Sequence, residues 1–550
     1  MGPAAEDGLQ LSPDSREATV RSAAVMSTGT LLSRVSGLAR TLATIAALGF
    51  TALSDSYNAA NTTPNILYEL VLGGILTSVF VPVFVDWARV HGREASWEAA
   101  SRLLTLTLVV LSGVAAVGFV LAPWIMRLYL AGVEDPVRRQ QEVELGTYFL
   151  RWFMPQIVFY GLGAVAAGVL TANRRFATQM FAPVLNNVAV IATMLVFISL
   201  RHGLPPSIED LTGTQRTLLA AGTTFGVVAM TVALWPSLRS LGFRWHLRFD
   251  WRHETVRRIL HLARWVVVYV MANQLAYFVI IILNNRISRG ALTTYYQAFV
   301  LFSLPHAIVA VSIFTALLPG MAERWLAGSA RGVRELFSRG LRDTEIVMIP
   351  AALGLVAVAG PVVALLTPFR SVNDAERELL AHTLVAFAVG LPFFSAFQLL
   401  TRTFYAMQDS RMPALVNIGA AVVNLAVDVV LAFGLGWGVP GMALGHAASY
   451  VVGSVVLVRI LRGRLDGVDG RRILQTLGKT LAAGLATAAA AVGVAAASGA
   501  LLDVDRLALR FVQVAVAFAA GVLVFVAAAL ILRITEVDEV RGALLSRFRR

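Results

Sequence analysis

Fourteen stretches of this chain are each apolar over about the length of a membrane-crossing helix, and that pattern constrains the fold more than any other feature. They run over approximately 27–50, 60–85, 103–124, 146–171, 178–200, 217–238, 264–284, 291–318, 345–367, 380–406, 413–435, 439–460, 476–499 and 508–532. A hydrocarbon core about 30 Å thick needs about 20 apolar residues in a helix. Inside lipid the backbone must satisfy its own hydrogen bonds, so such stretches become helices. The expected fold class is therefore all-α: a polytopic membrane protein with about 14 transmembrane helices. Composition agrees, with 57% hydrophobic and 14% charged residues and a mean hydropathy of +0.71. Soluble domains carry about 25% charged residues, so a large soluble helical protein is excluded.

The charges set an orientation. Of 46 Lys and Arg residues only Lys479 is lysine, and the formal net charge is +13. Arginines gather in alternate connectors: Arg89 and Arg93, Arg174 and Arg175, Arg239 to Arg258, Arg324 to Arg342, and Arg462 to Arg472. The opposite connectors are acidic or mixed, with Asp55, Glu134 to Glu144, Glu209 and Asp210, Asp374 to Glu378, and Asp503 and Asp505. Basic residues stay on the cytoplasmic side, so both termini are expected in the cytoplasm. Topology thus accounts for the positive charge, and no nucleic-acid partner is expected. The chain has no cysteine, which excludes disulfides, thiolate metal sites and a cysteine nucleophile.

Residues 1–24 are polar, lack the pattern of a cleavable signal and read as a disordered cytoplasmic tail; residues 536–550 read as a basic cytoplasmic tail. Two connectors look like more than turns. Residues 239–262 interleave arginines with Trp245 and Trp251, and residues 321–343 alternate arginines with Trp325, Leu326, Val333, Leu336 and Phe337. Both patterns predict amphipathic helices lying on an anionic leaflet.

An internal repeat is visible. Pro183-Val184-Leu185-Asn186-Asn187 and Pro413-Ala414-Leu415-Val416-Asn417 share P-x-L-x-N and each opens a helix. Phe80-Val81-Pro82 and Leu317-Leu318-Pro319 are expected to end the second and eighth helices at nearly the same offset. Six helices separate each pair, which predicts two parallel six-helix lobes. The expected division is an N-lobe over 25–240, a cytoplasmic amphipathic connector over 241–263, a C-lobe over 264–463, and helices 13 and 14 over 464–535.

The first helix carries Ser33-Arg34-Val35-Ser36-Gly37-Leu38-Ala39-Arg40. A charge at the bilayer centre costs roughly 2.5–3.5 kcal/mol, so these guanidinium groups must find water or a partner. At 3.6 residues per turn Arg34 and Arg40 stand about 120° apart. They fit a wide cavity, or for Arg34 the cytoplasmic interface. Asp55, in Ser54-Asp55-Ser56-Tyr57-Asn58, has the residue type and position of a helix N-cap.

From Ser33 to Pro82 the run S-R-x-x-G-x-x-R, then D-S-Y-N-A-A, then T-P-N-I-L-Y-E-L-V-L-G-G-I-L-T-S-V-F-V-P resembles the MurJ (MviN) lipid II flippases. These belong to the multidrug/oligosaccharidyl-lipid/polysaccharide exporter superfamily. The likeness continues at Leu150-Arg151 to Pro155, Asn173-Arg174-Arg175-Phe176, Phe181-Ala182-Pro183 and Phe404-Tyr405-Ala406-Met407-Gln408-Asp409-Ser410-Arg411-Met412-Pro413. It implies a transporter of the bacterial cytoplasmic membrane, not an enzyme. The transporter would carry undecaprenyl-pyrophosphate-linked peptidoglycan precursor to the outer leaflet by alternating access. It implies that Arg34 and Arg40 hold the pyrophosphate and that Asp55 is a functional acid. Arg151 and Arg286 are further candidate contacts. It also implies a lipid-tail groove in the last two helices, where residues 476–532 are rich in Ala, Val, Leu and Gly.

The chain departs from the proteobacterial pattern. Tyr68 and Glu69 stand where that pattern has a basic pair, and Val300 stands before Pro305 where it has a cavity arginine. In the eleventh helix Asn424 and Asp428 are four apart and share a face. Some members of the family hold sodium there, and oxygen ligands suit a hard cation. Asn273 and His446 are the further candidates for that site. No other cofactor is expected; sodium or the membrane potential would drive transport. Membrane lipids and cell-wall synthesis or division proteins are the expected partners. The alternatives are a drug or polysaccharide-lipid exporter of the same superfamily, an inactive scaffold, or a polyprenyl-dependent glycosyltransferase using Asp503-Val504-Asp505.

Overall fold

The computed structural model describes residues 13–72, 81–173, 175, 177–202, 206–250, 254–369, 371–501 and 506–537. Outside them lie residues 1–12 of the expected tail, Arg174, Trp251, Asp503 to Asp505 and the basic tail from residue 538. The described chain forms α1 (Pro13–Leu48), α2 (Ala52–Leu72), α3 (Val81–Tyr129), α4 (Pro136–Phe153), α5 (Gln156–Ala172), α6 (Ala177–Leu200), α7 (Gly213–Val232), α8 (Trp235–Ser240) and α9 (Glu254–Ile287). It continues with α10 (Ala291–Pro305), α11 (Val311–Leu326), α12 (Ala330–Leu366), α13 (Asp374–Val389), α14 (Leu391–Ala406), α15 (Arg411–Asp428), α16 (Gly438–Arg464), α17 (Gly470–Leu501) and α18 (Leu507–Ile531).

Where they are described, the fourteen apolar stretches fall on helix apart from short breaks; residues 73–80 of the second lie outside the described residues. Ten helical segments among the described residues are long and apolar enough to cross a membrane, and the bent pair α13 and α14, joined at 45°, makes an eleventh. Of the other three stretches, the first falls on α1, with Arg34 and Arg40, and the seventh on α9, with Arg257 and Arg258; the second covers α2, which carries Asp55, and the first residues of α3. The breaks have local causes. Proline has no N–H to give the preceding turn, and Pro155 and Pro392 stand at the α4–α5 and α13–α14 breaks. Pro305 precedes a wider π-turn over His306–Ala310. Val358 leaves helical geometry three residues before Pro361.

The chain divides into two compact units. One comprises Met1–Ala47, Ala59–Arg127 and Gln140–Met271; the other comprises Leu48–Asn58, Leu128–Arg139 and Ala272–Arg550.

In the first unit α1 starts at Pro13, so residues 13–24 are helical and not a disordered tail. Proline suits the first helical turn. The expected amphipathic helix over 239–262 is not continuous among the described residues. Residues 243–250 form a non-helical segment after Gly242, whose φ is +81°, and α9 begins only at Glu254. Hydrogen bonds to α3 hold the segment: Trp245 Nε1 and the Arg248 N–H donate to Thr105 Oγ1, each at 3.2 Å. The Trp245 ring packs on Trp235 at 5.7 Å. Its aromatics thus seal a core built on Leu103, Val169, Leu238 and Phe243.

In the second unit residues 321–343 are not a separate surface helix either. They are the end of α11, a turn at Ala327–Ser329 and the start of α12, capped by Ser329 Oγ accepting from the Gly332 N–H at 3.1 Å. Val333 and Phe337 are buried, while Arg331–Glu335 and Arg339–Asp343 pair along the exposed side. The proline correspondence fails in detail: Pro82 opens α3, and Pro319 lies inside α11. Helices α17 and α18 pack on α12. A seam of Ala491, Ala495 and Ala517 meets Val358, Gln513 Nε2 donates to the Ala495 carbonyl at 2.8 Å, and Arg342 forms a buried ion pair with Glu536.

Asp409, in the motif between α14 and α15, is held from two sides. Its Oδ1 accepts from the N–H groups of Arg411 and Met412 at 2.9 and 3.1 Å, and its Oδ2 pairs with Arg464 at 2.6 Å. Partial burial pushes the carboxyl up, but these bonds together outweigh it and hold the group below the usual range. The turn into α15 is thereby fixed to the end of α16.

Candidate functional site

The repeat motif has a structural meaning. In the first unit Asn187 of α6 is buried, and its Nδ2 donates to Ser36 Oγ at 2.9 Å and to the Ser33 carbonyl at 3.3 Å on α1. In the second unit Asn417 of α15 donates from Nδ2 to Asn273 Oδ1 on α9 at 2.6 Å. The last residue of P-x-L-x-N therefore bonds the first helix of its own bundle in both copies. Such interhelical bonds contribute about 0.6–1.7 kcal/mol each in membranes, and they fix rotation as well as contact.

That bond orients the arginine motif. Ser33 and Ser36 face α6, and Gly37 lies beside the Asn187 amide. Arg34 consequently points away and is exposed; Arg40, six residues on, is half-buried. The Arg40 carbonyl accepts from Thr44 Oγ1 at 2.9 Å. Tyr68 of α2 packs its ring on Tyr160 of α5 at 5.8 Å, an aromatic contact at one of the two positions where a basic pair was expected. The side chain of Glu69 lies outside the described residues, and Val300 is half-buried.

Asp55 does cap a helix, but not its own. Thr51 and Ser54 close the start of α2 between themselves, with the Thr51 N–H donating to Ser54 Oγ at 2.9 Å. Asp55, 1% exposed, instead reaches the start of α10. Its Oδ2 accepts from the Gly290 N–H at 2.6 Å, and its Oδ1 accepts from the Thr293 N–H at 3.0 Å and Thr293 Oγ1 at 2.8 Å. Asn58 Nδ2 donates to the same Thr293 oxygen at 3.0 Å. Gly290 has φ +76°, and a side chain there would meet the Phe50 carbonyl. Helix starts leave N–H groups without partners, and a carboxylate is the strongest acceptor available to them. Sequence spacing gave no sign of this pairing across 235 to 238 positions.

Asn424 and Asp428 do meet: Nδ2 donates to Oδ1 at 2.9 Å. Asp428 Oδ2 is buried without a hydrogen-bond partner among the described residues, as is His446 Nε2. Gly445 lets α16 approach this carboxylate, since a methyl group there would overlap Asp428 Oδ1. The His446 ring is edge-on to Phe299, Phe387 and Tyr450. Asn273 is not brought to this site; it bonds Asn417, two turns before Asn424. Among the described residues no group of three or more His, Cys, Asp or Glu could hold a metal. Arg151 stands over the Phe119 ring at 5.4 Å, and Arg286 over Phe433 at 5.7 Å.

Membrane-crossing helices in two units, with the motif asparagine bonding the first helix of its bundle in each, define a polytopic α-helical membrane protein. A solved lipid II flippase MurJ in an inward closed conformation superposes with a TM-score of 0.71 at 17% identity, covering 92% of this chain and 98% of that one. An inward-facing multidrug resistance transporter of the MATE family follows at 0.65 and 14%, covering 79% and 96%. The family profile of the lipid II flippase MurJ matches residues 45–512. The chain belongs to that family, whose members are transporters and not enzymes. Lipid II flippase MurJ of Burkholderia cenocepacia is 28% identical over 439 residues, 79% of this chain and 82% of that protein. The probable flippase of Bdellovibrio bacteriovorus is 26% identical over 478 residues, 86% and 87% of the two chains.

Asp55→Ala strips the acceptor from three donors at the start of α10. We expect a stability loss of about 2–4 kcal/mol in the purified protein, with partial recovery in Asp55→Asn. The thermal midpoint in detergent is the readout, and an Asp55→Ala midpoint equal to wild type would show that the cap carries no stability.

Proposed function

We propose that this chain flips lipid II, the undecaprenyl-pyrophosphate-linked peptidoglycan precursor, across the bacterial cytoplasmic membrane by alternating access, with both termini in the cytoplasm. Family membership over residues 45–512 carries this reading. In it, Arg34 and Arg40 bind the pyrophosphate. A guanidinium presents a planar fork that matches phosphate oxygens two at a time. The contact of Ser33 and Ser36 with Asn187 supports the assignment, because it turns Arg34 away from the α6 contact. Asp55 serves the cycle through its cap on α10, which exists only while the two segments are together. Helices α17 and α18 supply the surface for the polyprenyl tail, and Asn424 and Asp428 hold a coupling sodium ion. The unpartnered Asp428 Oδ2 supports that last role, since a buried lone carboxylate oxygen calls for a cation or a proton.

Three measurements follow. Arg40→Ala abolishes exposure of lipid II on the outer face while inserted protein stays at wild-type level, and Arg40→Lys restores only part; full export by the Arg34→Ala/Arg40→Ala double variant would defeat the assignment. For orientation, Val137→Cys, at an exposed position, reacts with an impermeant thiol reagent in intact cells and Ala327→Cys does not; the reverse pattern inverts the topology. For coupling, sodium raises the thermal midpoint of wild type and not of Asp428→Ala; equal shifts in both would remove the ion from this site.

A further inference from the structure

A groove of about 830 Å³ opens in the first unit between the end of α3, α4 from Gln140 to Trp152, and the first half of α7. Arg127, Arg151 and Arg216 line it, with Glu144 as the one carboxylate among its lining residues. Among the described residues none of these arginines forms an ion pair, and Arg216 Nε is buried with no hydrogen-bond partner. The groove therefore holds a formal excess of two positive charges, three guanidinium groups less one carboxylate.

Topology does not account for this charge. Arg127 stands at the end of α3 and Arg216 in the first turn of α7, beside the acidic or mixed connectors and opposite the arginine-rich ones. Leaving arginines here unpaired needs another cause.

The groove is also graded. Arg127 and Arg216 stand at helix ends. Phe119 lies eight residues before Arg127, hence roughly 12 Å deeper along α3. There the wall becomes apolar, with Phe119 and Trp152 47% and 40% exposed. Arg151 stands over the Phe119 ring at the level of that wall. A charged mouth at helix-end level above an apolar wall reproduces the profile of a phospholipid, headgroup over acyl chain.

We propose that this groove binds an anionic phospholipid of the surrounding leaflet. Arg127 and Arg216 hold its phosphodiester, Arg151 caps the glycerol end, and the first acyl carbons lie on Phe119 and Trp152. Arginine forks recognise phosphate oxygens, and the surplus charge selects a headgroup that is net negative over one that is zwitterionic.

The test uses the full-length protein in detergent with three probes: dioleoyl phosphatidylglycerol, dioleoyl phosphatidylcholine and inorganic phosphate. Thermal midpoint and retention of bound lipid in native mass spectrometry are the readouts. Phosphatidylglycerol raises the midpoint and stays bound; phosphatidylcholine and inorganic phosphate at equal concentration do neither. Arg127→Gln/Arg216→Gln weakens phosphatidylglycerol binding about tenfold or more, as loss of charged hydrogen bonds predicts. Glu144→Gln alters only an exposed side chain and tightens binding severalfold, so the idea remains testable if the double variant does not fold. Equal binding of the two lipids, the same response to inorganic phosphate, unchanged affinity in the double variant, or weaker binding in Glu144→Gln would each overturn the proposal.

Discussion

Inside a bilayer no water is available to a stranded polar group, and this structure depends on how it meets that constraint. Several of its interhelical polar side chains work as locks. Asn187 and Asn417 each bond the first helix of their bundle, and Asp55 gives its carboxylate to the N–H groups at the start of α10. Hydrophobic burial cannot set helix rotation when lipid is as apolar as the helix surface. These directional bonds can. They decide which face of α1 meets α6 and so where Arg34 stands.

The same economy explains the departures from the wider family pattern. Each extra arginine on a spanning helix needs a partner or water. Tyr68 needs neither, and stacks on Tyr160. On the proposed reading the cargo-binding charge of the first two helices rests on Arg34 and Arg40, with Asp55 committed to its cap. A flippase built this way binds its anionic cargo through few groups, which makes the rotation of α1 more important to it.

Much of the architecture was legible in the chain because hydropathy reports helices directly. The described parts of all fourteen stretches fall on helix apart from short breaks, the bent α13–α14 pair among them. The P-x-L-x-N repeat pointed to two bundles, and its asparagines prove to be the equivalent contacts. Legibility ended where a residue's partner is distant or its surroundings override pattern. Asp55 had the look of a local cap, yet Thr51 and Ser54 take that place and free it for Gly290 and Thr293. The Trp245 segment had an amphipathic composition, but hydrogen bonds to Thr105 draw it into a non-helical path. Arg127 and Arg216 drew no attention as ordinary connector charges, because only the fold brings α3 and α7 to one groove.

Outward carriage of lipid II by this chain is tested in a bacterium whose own lipid II flippase can be depleted. With this chain as the replacement, lipid II accessible on the outer face of the cytoplasmic membrane is measured alongside the amount of inserted protein. If this chain is a flippase, exposure and growth continue after depletion. Accumulation of lipid II on the inner face, with the protein inserted at normal level, would contradict it.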